Sequence, residues 1–138
     1  MSGIKIEELQ IGQEASFTKT IAECDVYNFI GITGDINPIH IDEVYAGSTI
    51  FKKRIAHGML TAGLISTVIG NNLPGPGTIY LDQQLKFTFP VYFGDTITAV
   101  VKVLELIPEK NRVILETTCT NQNGETVITG KAVVLPPK

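Results

Sequence analysis

The segment formed by residues 58–70 constrains the fold more than any other part of this sequence, because it is apolar on almost every side. A helix without a polar face must be enclosed by other structure. The segment is also shorter than the roughly 20 apolar residues that a membrane-spanning helix needs. Ala62 and Gly63 would let a sheet approach it closely. We therefore expect a buried helix and no association with a membrane.

Four β-rich runs follow this segment, and the first alternates apolar with polar residues, as half-buried strands do. The joins between the runs are short and contain turn residues, which favours antiparallel hairpins. The sequence thus predicts an α+β fold in which an antiparallel sheet curls around the helix. One helix covers one sheet face only, so we also expect a homodimer or larger oligomer. The four runs are residues 79–89, 96–107, 112–121 and 126–135.

The first third of the chain contains signals for shorter elements. A strand is predicted at residues 15–21, and Thr20 with Glu23 has the T-x-x-E form of a capping box that would open a helix. Gly34 stands where that helix would stop, since glycine reaches the left-handed conformation easily. We expect Asp42 to cap a second, short helix before a loop.

Length and charge exclude several classes of protein. The 138 residues fit a single domain over 1–138. With 11 basic against 14 acidic residues and a net charge of −3, nucleic acid is not an expected partner. Glu7, Glu8 and Glu14 interrupt the start of the chain, unlike a signal peptide, so we expect a cytoplasmic protein.

Neither cysteine predicts a metal or redox site. Cys24 and Cys119 are far apart, form no CxxC motif and have no histidine at a ligand spacing. We interpret both as reduced packing residues, and we expect neither a metal nor a redox cofactor.

The stretch GDINPIH at residues 34–40 holds a carboxylate and an imidazole around an Asn-Pro turn. Pro38 fixes its own φ and keeps Asn37 out of helical geometry, so Asp35 and His40 lie on either side of a bend. Such a bend can direct both side chains at one small reactant, such as water. The alternative is purely structural, because Asp35 and Asn37 form turns and His40 can be an ordinary half-buried histidine.

Two longer motifs resemble a known family. FIGITGDINPIHID at residues 29–42 is similar to the hydratase 2 motif of MaoC-like (R)-specific enoyl-CoA hydratases, and AHGML at residues 56–60 also matches that family. The resemblance extends over nearly the whole chain and includes residues 77–80 and 90–95. The size also resembles that of the short single-domain members of polyhydroxyalkanoate-type metabolism. The resemblance implies a hot-dog fold and a dimer.

The resemblance also implies the reaction, which is reversible hydration of trans-2-enoyl-CoA to (R)-3-hydroxyacyl-CoA. Asp35 and His40 would hold one water and add its OH and H to the same face of the double bond. Coenzyme A is then part of the substrate. We favour His40 as base and Asp35 as proton donor, and we expect apolar residues such as Phe29, Ile36 or Ile39 to enclose the carboxyl group.

The charge that develops on the thioester oxygen needs a donor, and Gly58 can supply one. If the buried helix starts near His57, the Gly58 N–H is an unpaired first-turn group at the positive helix end. The alternative is a glycine chosen only for tight packing. Three further residues are candidates for the substrate-binding site. The Asn37 amide would hold the turn, and Ser66 matches a pocket serine of the family. His57 either binds the substrate or hydrogen-bonds the preceding loop and orients the helix.

The basic residues before the AHGML motif have two interpretations. Lys52, Lys53 and Arg54 either meet the phosphates of coenzyme A or form a solvated loop. We expect the acyl-chain length to depend on residues such as Ile32, Val68 and Leu73.

Two other functions remain open at this point. A hot-dog acyl-CoA thioesterase would direct water at the carbonyl carbon, and a non-catalytic subunit would bind acyl-CoA without turnover.

Overall fold

The computed structural model describes all residues, 1–138, and contains one five-stranded sheet and four helices. The strands are β1 Glu14–Thr20, β2 Ile79–Phe87, β3 Thr96–Ile107, β4 Arg112–Thr120 and β5 Thr126–Leu135. The helices are α1 Glu23–Thr33, α2 Pro38–Ile41, α3 Glu43–Gly47 and α4 Gly58–Asn71.

The sheet is antiparallel throughout, with strand order β1-β3-β4-β5-β2. Buried residues alternate with half-buried ones along β3 and β4, so one face of these strands is the core face. Hydroxyl pairs also join β1 to β3, with 2.8 Å between Thr18 and Thr98 and 2.7 Å between Thr20 and Thr96. Strands β1 and β2 lie at the two edges.

Helix α4 lies against the core face and contacts β1, β3 and β4. Its buried residues include Leu64, Ile65, Val68 and Ile69, which belong to one cluster of 22 buried apolar residues. This sheet around a central helix is the predicted α+β hot-dog fold. The helix is not enclosed on every side, however, because Met59 and the small residues that follow on the same face are exposed.

Three local predictions differ from the structure. The capping box is wrong, because Thr20 belongs to β1 and α1 begins after Ala22, whose N–H donates to the Asp25 carboxylate at 2.8 Å. Pro38 opens the short helix α2, which the sequence did not indicate, although Asn37 before it is non-helical as expected. Strand β2 ends at Phe87 and is mostly exposed rather than half-buried.

The remaining predictions for this part of the chain concern capping and cysteines. Asp42 caps α3 as expected, since its carboxylate accepts the Tyr45 N–H at 2.9 Å. Both cysteines are free, and Cys119 is a core residue, but Cys24 is exposed and therefore not a packing residue. None of the helices has the length and apolar character required to cross a membrane.

Candidate functional site

Asp35 stands at the end of α1, where the chain turns. Gly34 ends the helix with φ 77°, a conformation that glycine adopts without a Cβ clash. The Asp35 carboxylate then accepts the Asn37 N–H at 3.2 Å, and the Asn37 side chain accepts the Ile39 N–H at 3.2 Å. The Asn37 amide therefore holds the turn and caps α2, as the sequence predicted.

His40 lies in α2 and is buried, with 8% of its surface exposed. Its Nδ1 is 2.7 Å from the Ile55 carbonyl oxygen. A carbonyl only accepts hydrogen bonds, so Nδ1 carries the proton and Nε2 is the free acceptor of the neutral ring. Burial is the main cause that lowers the pKa of His40 below its usual 6.5, partly opposed by the Ile55 bond. The neutral ring of His40, with Nε2 as acceptor, is thus the favoured form.

His57 immediately precedes α4 and is 1% exposed. Its Nε2 donates to the Asp35 carbonyl oxygen at 3.1 Å, which joins the start of α4 to the Asp35 turn. The ring stacks on His40 at 3.8 Å between centroids and lies 4.7 Å from Phe29. Its Nδ1 has no partner. The contacts match the loop-binding, helix-orienting role that was one of the two interpretations for this residue.

These three residues form a compact polar cluster. One side-chain oxygen or ring nitrogen from each of Asp35, His40 and His57 lies within 4.8 Å of the others. A water that makes two hydrogen bonds of about 2.8 Å can bridge atoms at this separation. The apolar enclosure expected around the carboxyl group is absent from the single subunit, because Asp35 is exposed and Ile36 is 63% exposed.

Gly58 is the first residue of α4, as predicted. The carbonyl of His57 accepts from Leu60 and Thr61, while the Gly58 N–H takes part in none of the hydrogen bonds of the chain. A Cβ at Gly58 would lie 2.6 Å from two ring atoms of Phe87. Glycine thus fits the close packing of Phe87, and the same position leaves a free donor at the helix start, so the two interpretations do not exclude each other.

An apolar cavity of about 400 Å³ opens beside Gly58. Ile55, whose carbonyl holds His40, also lines it, whereas Asp35 and His40 do not. Thr61 lines it too, and the Thr61 hydroxyl is buried without a partner. Thr61 was not predicted as a site residue, although its hydroxyl interrupts the apolar residues of the first turn of α4 and was a usable signal. The larger apolar lining residues are Phe51, Met59, Phe87, Phe89, Val91 and Ile128.

Other predicted site residues lie elsewhere. Ser66 is exposed on α4 and does not line the cavity. None of the residues expected to shape an acyl tunnel lines this cavity: Val68 and Leu73 are core residues, and Ile32 is 83% exposed.

Two of the three basic side chains at residues 52–54 are exposed, and the third is paired with an acidic residue. Lys52 and Lys53 are exposed, and the Lys53 ammonium lies 4.7 Å from the Tyr92 ring centroid. Arg54 is bonded to Glu23 at 2.7 Å and is only 12% exposed, so it is neither a free phosphate ligand nor a solvated side chain, the two interpretations given for this loop. That pairing joins residues 31 positions apart, which no local pattern indicates.

Comparisons with known proteins identify the family of the chain. Residues 7–126 match the family model described as MaoC like domain. The chain is 55% identical to the (R)-specific enoyl-CoA hydratase of Rhodospirillum rubrum, over 95% of this chain and 90% of that protein. It is 48% identical to the 3-hydroxybutyryl-CoA dehydratase of Methylorubrum extorquens, over 96% and 83%.

A solved structure is similar over the same range. The unliganded R-hydratase PhaJ1 of Pseudomonas aeruginosa superposes with a TM-score of 0.92 at 49% identity, over 99% of this chain and 87% of that one. A family model that spans most of the chain, with relatives of this identity and coverage, decides the family. This chain belongs to the MaoC-like domain family.

Proposed function

We propose that this protein is an (R)-specific enoyl-CoA hydratase that interconverts trans-2-enoyl-CoA and (R)-3-hydroxyacyl-CoA. The observation that carries the proposal is the His40 tautomer. With Nδ1 bonded to the Ile55 carbonyl, Nε2 is an acceptor in the cluster that also contains the Asp35 carboxylate. The relatives named (R)-specific enoyl-CoA hydratase and 3-hydroxybutyryl-CoA dehydratase support the same reaction class.

In the hydration direction, His40 Nε2 takes a proton from a water held between His40 and Asp35. The resulting OH bonds to the β-carbon, and the π electrons move through the α-carbon toward the thioester oxygen. The Gly58 N–H donates to that oxygen as its charge increases. A donor of this kind typically lowers the barrier by about 2.7–4 kcal/mol.

Asp35, which must carry a proton in the substrate complex, then gives that proton to the α-carbon on the face where OH was added. The proton on His40 returns to Asp35, which restores both groups. Every proton moves between this pair, water and substrate, so the reaction needs neither a metal nor a redox cofactor, and coenzyme A enters as part of the substrate. Asn37 and His57 hold the Asp35 turn in place for both transfers.

Two assays on the purified protein with crotonyl-CoA test this function. Hydration removes the enoyl absorbance and leaves the thioester intact, whereas a thioesterase releases free thiol. Binding with neither change identifies a non-catalytic acyl-CoA-binding subunit. In the reverse direction, (R)-3-hydroxybutyryl-CoA is dehydrated and the (S) isomer is not; equal rates with both isomers refute the stereochemical assignment.

We also propose that the protein is a homodimer that pairs through β2. This nine-residue strand lies at a sheet edge and exposes Ile79, Leu81 and Phe87. A long apolar edge strand is suited to pairing with a second copy. The neighbouring face of α4, with Met59 and Ser66, is exposed as well and would gain cover from the same partner.

Sedimentation tests the dimer. The native chain should have twice the chain mass, and Leu81→Lys should shift it toward the monomer by placing charge in the interface. Ile11→Lys is the matched control, because Ile11 is an exposed apolar residue just before β1, at the opposite edge. A native monomer, or dissociation by Ile11→Lys alone, contradicts this interface.

A further inference from the structure

The side chain of Arg54 joins two helices that flank the candidate site. It is 12% exposed, and its guanidinium donates to Glu23 at 2.7 Å and to the Tyr27 hydroxyl at 3.0 Å, both on α1. The carboxylate of Glu43 on α3 is 3.7 Å away. Helix α1 ends at the Asp35 turn and α3 follows α2 directly, so one side chain contacts the elements on both sides of the catalytic pair.

The surroundings of Arg54 keep it charged and in one place. Its guanidinium carbon lies 4.9 Å from the Phe93 ring centroid. The hydrogen bond to Glu23 is the main cause that raises the pKa of Arg54. Its Nε is buried without a partner. A mostly buried cation held by several partners fixes the backbone to which it is attached.

The next residue along that backbone holds His40. The Ile55 carbonyl accepts from His40 Nδ1 at 2.7 Å, and the Ile55 N–H donates to the Ile39 carbonyl at 3.3 Å. Ile55 thus bonds α2 through both its backbone groups. Any shift of the Arg54 backbone changes the acceptor that selects the His40 tautomer.

We propose that Arg54 is a positioning residue for the hydration reaction: by bridging α1 and α3, it fixes the Ile55 carbonyl that keeps the proton of His40 on Nδ1 and leaves Nε2 free to act as base. The proposal rests on the proposed function for its kinetic consequence. Its structural consequence, the tautomer of His40, is measurable whether or not the protein hydrates enoyl-CoA.

Arg54→Met tests the proposal, because methionine keeps an apolar stem over Phe93 and removes the charged donors. Lys19→Met is the matched control: it removes the same charge and breaks the 3.1 Å ion pair of Lys19 with Asp25, also on α1, but is not part of the bridge. Long-range ¹H–¹⁵N spectra of the two histidine rings report the tautomers, and a His40→Ala spectrum assigns the signals.

In Arg54→Met we expect the Nδ1–H form of His40 to become a mixture of tautomers. Because small misplacement of a reacting group is costly, kcat should fall by about 10- to 100-fold with KM little changed. The acid limb of the pH–rate profile should move to lower pH, since loss of the Ile55 bond removes a group that raises the pKa of His40. The other titratable groups facing His40, Asp35 and His57, are unchanged. Lys19→Met should match the native protein in all three readouts.

Retention of the native tautomer and pH profile in folded Arg54→Met overturns the proposal, even if activity falls, because the loss is then only structural. If Arg54→Met does not fold, Glu23→Gln decides, since Glu23 is half exposed and its substitution weakens the same bridge. It must change the His40 tautomer in the same direction, and an unchanged spectrum overturns the proposal. If the native protein itself does not hydrate enoyl-CoA, the proposed function is refuted, but the tautomer of His40 can still be compared between the native protein and the variants.

Discussion

The two halves of the candidate site differ in how firmly the fold holds them. The turn that carries Asp35 is exposed and is held mainly by bonds between residues two positions apart. The start of α4 is buried, with His57 1% and Thr61 0% exposed and the Phe87 ring against Gly58. His40 belongs to the buried half, because its ring stacks on His57.

The buried half of the site is thus preorganised in the free subunit, whereas the surroundings of Asp35 are completed only when a ligand binds. Electrostatic stabilisation is most effective when the groups that provide it are fixed before charge develops, and the proposed base His40 and the Gly58 N–H meet that condition. The proposed proton donor, Asp35, lies on the open side, where substrate and the partner subunit of the proposed dimer can cover it. We therefore expect substitutions in the two halves to impair catalysis similarly and stability differently.

The largest expected effects come from the catalytic pair. Asp35→Asn and His40→Ala should each lower kcat by about 10²- to 10⁴-fold, the usual contribution of a general acid or base. Asp35→Asn should leave the unfolding midpoint near native, because the side chain is exposed. His40→Ala should destabilise by about 1–3 kcal/mol, since it leaves the Ile55 carbonyl without its donor.

Kinetics with crotonyl-CoA and urea unfolding measure both quantities. Near-native turnover in either variant contradicts the catalytic assignment. Equal destabilisation by both variants contradicts the contrast between an open and a rigid half.

A slightly smaller effect is expected at Gly58, where substitutions can distinguish the contribution of the N–H donor from that of packing. Proline is tolerated at the first helical position, and His57 before it has ψ 133°, which suits a residue preceding proline. Gly58→Pro removes the donor, whereas Gly58→Ala keeps it, and both add atoms near Phe87. In a Phe87→Ala background that relieves the contact, Gly58→Pro should have a kcat about 10²- to 10³-fold below that of Gly58→Ala.

The comparison of the two double variants decides between donor and packing. Equal kcat values in a folded pair assign Gly58 to packing alone. A difference confined to KM would also contradict a role in the transition state.

The sequence predicted the elements of both halves better than the contacts between residues that are distant in the chain. Apolar density located α4 and its first residue, Gly58, because burial of a helix leaves a direct pattern in the residue types. It did not reveal the acceptor of His40, because a backbone carbonyl such as that of Ile55 has no sequence signature. The pair of Arg54 with Glu23 was missed because its residues are 31 positions apart, and no local pattern indicates such a contact. The cavity also differed from the expected tunnel, since its lining comes from α4, β2, β5 and loops together.

The smallest expected effect is on pH dependence, and it tests whether Asp35 in the open half interacts electrostatically with His40 in the buried half. Burial lowers the pKa of His40 below 6.5, so the base stays neutral and hydration holds its plateau to below pH 6.5 before it falls. Since the unfolded chain then binds the proton more readily than the folded one, stability should decrease as pH drops through 6.5 and below. The charge of Asp35 raises the His40 pKa, so Asp35→Asn should lower it further. NMR titration of the His40 ring measures this shift without turnover, and an unchanged pKa in Asp35→Asn would mean that the exposed carboxylate is screened from the buried base.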